Sequence, residues 1–342
     1  MVRFVAKVKD TQAARPSPRP DLNFTPVRNG MDYLARAVND LTEGTVPPSE
    51  RDLKYAVLHL HAATEVLLKA RLVGEHWSLV FKNPGGAALD DFKKGKFESC
   101  TIDATMDRLG SIAQVNISPE DRSAIKVLTD DRNALTHYGH TANAFQVEAR
   151  AARVLSFLLS FIAEHLKPML VAEFRKRLEA HDPLNTDIPE TVALARRTEL
   201  ANAQREQTHV DETMDELRMK LGRIEKFVHK RMQDISSELA SVKHRTVQCP
   251  ECRQWALVVN DDASWNPITC RFCLGTYQGE MAGLQYVWRV LGQDNGTVQP
   301  CPNCGAADTL VLGASTAAQK NANLAICFNC ADTYEEKNDS QN

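Results

Sequence analysis

The feature that most restricts how this 342-residue chain can fold is a set of four C-x2-C pairs near its C-terminus: CPEC at 249–252, CRFC at 270–273, CPNC at 301–304 and CFNC at 327–330. Such a pair folds into a tight knuckle that offers two thiolates to one face of a tetrahedron, and a second pair closes the cage. The spacing therefore predicts two closed four-sulfur sites, Cys249, Cys252, Cys270 and Cys273 in one, and Cys301, Cys304, Cys327 and Cys330 in the other. Four sulfurs with no open position suit structural Zn²⁺, because a saturated site cannot activate water without losing a ligand. The spacers of 17 and 22 residues carry the strand-like runs WALVV at 255–259 and TLVLG at 309–313, as in zinc ribbons, here placed at 245–285 and 296–335. The ninth cysteine, Cys100, lies far from the others and reads as a buried, idle thiol.

The chain upstream reads as helical. Residues 1–27 contain Pro16, Pro18, Pro20 and Pro26 with few large apolar groups, the composition of a flexible tail. A helix is predicted at 28–43, then Pro47-Pro48 and Ser49-x-x-Asp52 supply a break and an N-cap. From 50 to 72 Leu53, Val57, Leu60, Thr64, Leu67 and Leu68 recur at threes and fours, which marks a central helix. Residues 74–100, with NPGG and KKGK, read as a loop holding one short element. A helix at 102–114 follows. Ser118-Pro119-Glu120-Asp121 then caps another that runs into DDRNALTHYGH at 130–140, and a last one at 143–178 packs Phe145, Val154, Leu158, Phe161 and Ile162 on one face. The expectation is a mainly α protein, with five helices forming a domain over 28–180.

Residues 188–244 have few Gly or Pro and place Val210, Met214, Leu217, Leu221, Ile224 and Val228 in alternating steps of four and three, continued by Met232, Ile235, Leu239 and Val242 after a stutter at 228–232. A coiled coil is the natural reading. A single long helix packed back on its own first domain is the other.

Charge narrows the partners. The net charge of −3 runs from +4 over residues 1–30 to −4 over 245–342, so there is no extended basic face and any RNA contact is local. A zinc ion with four thiolates is formally anionic, so the ribbons are expected to recognise a protein partner or to brace the assembly, with nucleic acid second. The longest nearly apolar run, VLSFLLSFIA at 154–163, is about half of a bilayer crossing, and the start MVRFVAKVKD lacks a signal-peptide apolar core. A cytoplasmic protein without a membrane partner is the resulting expectation.

The stretch LHLHAATEVLLKARL at 58–72, together with Arg132-Asn133-x3-His137, resembles the HEPN superfamily over residues 28–178. These are small all-α domains, many of them ribonucleases of prokaryotic defence, antiviral and toxin systems. The resemblance implies a five-helix HEPN-like bundle and a metal-independent endoribonuclease in which the 2′-hydroxyl attacks the adjacent phosphorus. It places Arg132, Asn133 and His137 in the catalytic site. The residue types suit that chemistry, since a histidine exchanges protons near neutral pH and an arginine forks two N–H bonds to phosphate oxygens. Asn133 orients a side chain or a phosphate oxygen. One motif offers a single histidine where acid and base are both needed, and five residues of regular helix set Arg132 and His137 about 140° apart. A homodimer with a shared cleft would supply both. On the central helix His61, Glu65 and Lys69 form one polar stripe, with Glu65 either holding Arg132, as the resemblance implies, or pairing with Lys69. His59 and His140 read as surface or packing residues. Gly139 stands where one HEPN branch has a tyrosine that is modified, so that regulation does not carry over. The alternative to a nuclease is a catalytically inactive HEPN-like adaptor that presents zinc ribbons to a partner protein or nucleic acid.

Overall fold

The computed structural model describes residues 24–43, 48–139, 143–179, 190–259, 267–292 and 298–335. The proline-rich tail as far as residue 23 and His140 lie outside these residues.

Helix α1 (Pro26–Thr42) starts at the N-cap Thr25 with proline in its first turn, where no amide donor is needed. Helix α2 (Glu50–Glu75) starts at a capping box: the Asp52 amide donates to Ser49 Oγ and the Ser49 amide donates to the Asp52 carboxylate, each at 3.2 Å. The two helices meet closely at Gly30, where a Cβ would lie 2.5 Å from Leu67 Cγ. Leu60, Leu67, Leu68 and Leu72 make α2 the centre of the helical core. The segment after it is held by aromatic contacts rather than by a sheet. Phe81 stacks on Phe97 at 4.2 Å beside Trp77 and Phe92, around the short helix α3 (Leu89–Lys94).

Helices α4 (Ile102–Ser111) and α5 (Pro119–His137) follow, the latter capped by Ser118, which accepts from the Asp121 amide at 3.1 Å. Helix α6 (Ala144–Phe161) begins at a capping box of Asn143 and Gln146, passes through a π segment and continues as α7 (Lys167–Glu179). Among the described residues the run Ala144–Glu179 is the one helix long and apolar enough to cross a membrane, with an 18-residue window of mean hydropathy 1.5. Its Val154, Leu155, Leu158, Phe161 and Ile162 are buried in the helical core.

Helix α8 (Glu190–Asp234) has 45 residues and is about 68 Å long at ~1.5 Å per residue. It corrects the coiled-coil expectation. Val210, Met214, Leu217, Leu221 and Ile224 are buried in the chain's own helical core, against α1 and α6, not held out to a second chain. A 4-3 seam suits either partner, and covering a flank of the same chain carries no association entropy. Val228 touches both this core and a second one, which also receives Met232, Ile235 and, from helix α9 (Ser236–Ala240), Leu239. The stutter thus falls where the helix leaves one core for the other. Lys220 is 6% exposed, and its ammonium donates to Asn39 Oδ1 (2.6 Å), Glu43 Oε1 (2.5 Å) and Glu216 Oε1 (2.6 Å), which fills its three donors.

The C-terminal part is two four-stranded antiparallel sheets, each in sequential order. The first contains β1 (Thr246–Gln248), β2 (Trp255–Val258), β3 (Ile268–Cys270) and β4 (Thr276–Tyr277). Helix α10 (Gly279–Tyr286) and a π turn, Val287–Leu291, lead to β5 (Val298–Gln299), β6 (Leu310–Ala314), β7 (Leu324–Cys327) and β8 (Thr333–Glu335). Both strand-like runs seen in the sequence are strands, β2 and β6. The two sheets are not independent modules. Val247, Phe272 and Tyr286 share one core with Val311, Ile326 and Phe328, and Ala149 of α6 enters it from the helical side.

The packing of α8 separates two substitutions. Met214→Ala is expected to cost about 2–5 kcal/mol of unfolding free energy. Leu194→Ala, at a position 63% exposed on the same helix, is expected to stay within about 0.5 kcal/mol of wild type. Denaturant titration of the full chain checks both.

Candidate metal centres and the Arg132–His137 helix end

The four sulfurs of each cysteine set lie within 4.8 Å of one another, and all eight are free thiols. A tetrahedral ion with metal–sulfur bonds of about 2.3 Å requires sulfur–sulfur edges of about 3.8 Å. Cys249–Cys273 and Cys252–Cys270 stand at 3.7 Å, and Cys301–Cys330 and Cys304–Cys327 at 3.8 and 3.7 Å. Both sets therefore fit a structural metal ion, with eight ligands as the spacing predicts. The surroundings fit thiolates as well. Backbone amides of Asn329 and Cys330 donate to Cys327 Sγ at 3.4 Å each, and Asn329 Nδ2 donates to Cys304 Sγ at 3.5 Å. Burial pushes the Cys304 thiol up, but the Asn329 amide, the Ala306 backbone and the neighbouring thiols bring it down to about 7.

The two sites differ in setting. Cys304 and Cys330 are half-buried, whereas every cysteine of the first set is buried against the helical domain. Gln146 Nε2 donates to Cys273 Sγ at 3.7 Å, and the Asn143 amide donates to the Cys273 carbonyl. Both residues belong to the α6 N-terminal capping box, whose positive dipole end faces the anionic cage. Arg231 of α8 closes the other side, donating to the Phe272 carbonyl at 2.6 Å with its guanidinium 3.6 Å from the Phe145 ring centre.

A buried charge chain joins this ribbon to α5. Arg150 of α6, its side chain 4% exposed, binds the Asp131 carboxylate through Nη1 and the Glu251 carboxylate through Nη2, and its Nε donates to the Glu251 carbonyl at 2.7 Å. Glu251 lies inside the CPEC knuckle and also receives Arg289 Nη1 at 2.6 Å. Sequence reasoning missed these residues. The available signal was Arg150, a charge four places from Gln146 on an otherwise apolar helix face.

Helix α5 stays regular through His137 and stops there. Tyr138 has φ −155° and ψ 3°, Gly139 has φ +95°, and both amides donate to the Ala134 carbonyl, at 3.1 and 2.8 Å. Glycine is favoured in this left-handed region because a Cβ is strained there. The regular geometry leaves Arg132 and His137 about 140° apart on the helix. Among the described residues no hydrogen bond joins them. Arg132 is half-buried and donates from Nη1 to Asn133 Oδ1 at 2.9 Å, while His137, one turn beyond Asn133 on the same face, is exposed. Asn133 therefore orients the arginine. Glu65 Oε1 receives Lys69 Nζ at 2.5 Å, the second of its two expected roles, and among the described residues no carboxylate forms an ion pair with Arg132. His61 is buried with its Nδ1 4.0 Å from Glu65 Oε2, and its Nε2 has no hydrogen-bond partner among the described residues. Burial holds its pKa below the usual value; Glu65 opposes that shift, and Arg132 and Lys69 reinforce it. His59 packs between Tyr33 and Tyr55 and binds Asp40 at 2.8 Å. Cys100 is buried beside Thr105.

No family model, curated protein or solved structure matches this chain.

Metal analysis of the purified chain is expected to find about two equivalents, falling to about one in Cys304→Ser. Timed chelation should empty the half-exposed second site first. Stability also depends on Glu148 of α6, whose carboxyl burial pushes up to about 7 against the pull of Arg231. A carboxyl with a raised folded pKa binds more protons folded than unfolded, so its contribution is complete below the ordinary value of 4.5 and is lost as pH rises through about 7. Glu148→Gln is expected to flatten the fall in Tm between about pH 4.5 and 7, a comparison read by thermal melts.

Proposed function

We propose that the chain is a metal-independent endoribonuclease of the HEPN type, acting as a homodimer, with two structural Zn²⁺ ions in its C-terminal ribbons. The observation that carries this reading is the end of α5: an exposed imidazole, His137, on a helix stopped at Gly139, with Asn133 one turn below holding the Arg132 guanidinium at 2.9 Å. Those groups are the ones that 2′-hydroxyl attack on phosphorus requires. One histidine takes the proton of the 2′-hydroxyl, the oxygen bonds to phosphorus, and the bond to the 5′ oxygen breaks as a second histidine protonates that leaving group. The products are a cyclic phosphate and a 5′-hydroxyl. Arg132 donates to the equatorial oxygens as they gain charge, and Asn133 keeps its fork aimed. Because the two side chains diverge within one chain, pairing α5 ends from two chains is what assembles acid, base and guanidinium in one cleft. The ribbons take no chemical step: a four-thiolate Zn²⁺ holds the polypeptide in shape. The resemblance suggests a prokaryotic defence or toxin system for such an enzyme, and the cytoplasm is the setting expected from the sequence.

The second reading is a non-enzymatic adaptor, and one observation favours it: Glu65 is spent on Lys69 rather than on Arg132. Cleavage decides between the two. His137→Ala is expected to lower the cleavage rate by about 10²–10⁴-fold while dimerisation persists, and a substrate with 2′-deoxy sugars should stay intact. RNA left uncut by the wild type, or cut equally by His137→Ala, would reject the nuclease centred on His137, and loss of cellular function on removal of residues 245–342 but not on substitution of Arg132 and His137 would support the adaptor.

A further inference from the structure

The CPEC knuckle does more than supply two sulfurs. Its internal residue, Glu251, sits between the ligands Cys249 and Cys252, and its side chain is 17% exposed. The knuckle's shape is closed by two backbone bonds, Arg253 N to Cys249 O and Cys249 N to Gln254 O, each at 2.9 Å, with Arg253 at φ +62°. Two thiolates on one ion stabilise that closure, so metal in the first site fixes where the Glu251 carboxylate points. That carboxylate holds Arg150 and Arg289 at once, and Arg150 binds Asp131 with its other terminal nitrogen. Asp131 directly precedes Arg132, and its side chain is 4% exposed. A buried ion network of this kind has little slack, because breaking one link leaves an uncompensated charge in a low-dielectric interior.

We infer that Glu251 is a positioning residue for the Arg132–Asn133–His137 end of α5, acting through Arg150 and Asp131, so that metal in the first four-cysteine site sets the competence of that end. The inference rests on the ribonuclease reading for its catalytic consequence and on geometry alone for the clamp. Rotation or fraying of the last turns of α5 moves Arg132 and His137 together, and a misplacement of about 1 Å in a catalytic group costs on the order of a hundredfold in rate. Substrate binding, which does not need that geometry, is affected less.

The test uses the full chain in four variants, each with its metal content measured: Glu251→Gln, Asp131→Asn, Cys252→Ser and Cys304→Ser. Amide hydrogen exchange of residues 131–139, read without RNA, is expected to rise about tenfold or more in the first three and to stay at the wild-type rate in Cys304→Ser, whose cysteine set lies outside the Glu251–Arg150–Asp131 chain. With RNA, Glu251→Gln and Asp131→Asn, both retaining two metals, are expected to lower kcat more than about tenfold while KM changes less than about threefold. Unchanged exchange in Glu251→Gln and Asp131→Asn overturns the clamp, even where the wild type cleaves. Raised exchange with wild-type kcat overturns the positioning role. Should Glu251→Gln lose metal, Asp131→Asn, outside the ribbon, decides alone. A wild type that cuts no RNA removes the catalytic reading instead, and that failure is told apart because the exchange arm involves no substrate.

Discussion

The apolar seam of α8 is the contact on which the arrangement of this molecule depends. Its first part, from Val210 to Ile224, completes the helical core, and its continuation through Met232 and Ile235 to Leu239 reaches the core of the ribbons. Burying this row removes a large apolar area from water at roughly 25 cal/mol per Å². The consequence is positional as well as energetic. One helix fixes both cores, so the first ribbon lies against α5 and α6, although more than a hundred residues of sequence separate Asp131 from Glu251.

On that hydrophobic frame the polar contacts between the two parts become specific. The first four-cysteine cage rests at the N-terminal capping box of α6, where the side-chain amides of Asn143 and Gln146 and the helix dipole would favour the negative charge of metal-bound thiolates. Asp131, Arg150, Glu251 and Arg289 alternate in sign through the buried joint, and Lys220 is surrounded by acceptors on its own side of α8. Such groups contribute little net stability over apolar packing of the same volume, but they tolerate few alternative arrangements. The ribbons are therefore held to the helical domain in one orientation and are part of its surface.

Much of this was legible in the chain. The caps at Ser49 and Ser118 are local signals, and the helices start where they stand because a short oxygen-bearing side chain satisfies orphan amides there. The cysteine sets were legible for a similar reason: a C-x2-C knuckle is a local structure, and the tetrahedron leaves few ways to join two of them. The destination of α8 was not legible, since a 4-3 repeat specifies an apolar stripe without saying what covers it. Nor was the pairing of Glu65, because a stripe of His61, Glu65 and Lys69 allows a bond along the helix as readily as one across it. Arg150 and Glu251 were hidden for a different reason. Each is an ordinary surface residue type until a partner distant in sequence is brought against it.

By itself, then, the amino-acid order determined the elements and the local chemistry: helix boundaries, two four-sulfur sets, the end of α5 at Gly139 and the 140° or so between Arg132 and His137. These depend on neighbours within a few residues, where covalent geometry and hydrogen-bond reach leave one solution. Only the tertiary structure decided which apolar stripe is covered from within the chain, which carboxylate meets which guanidinium, and that the CPEC knuckle is joined through Arg150 to Asp131 of α5. Those outcomes depend on burial summed over many distant side chains, and pattern alone does not carry that sum.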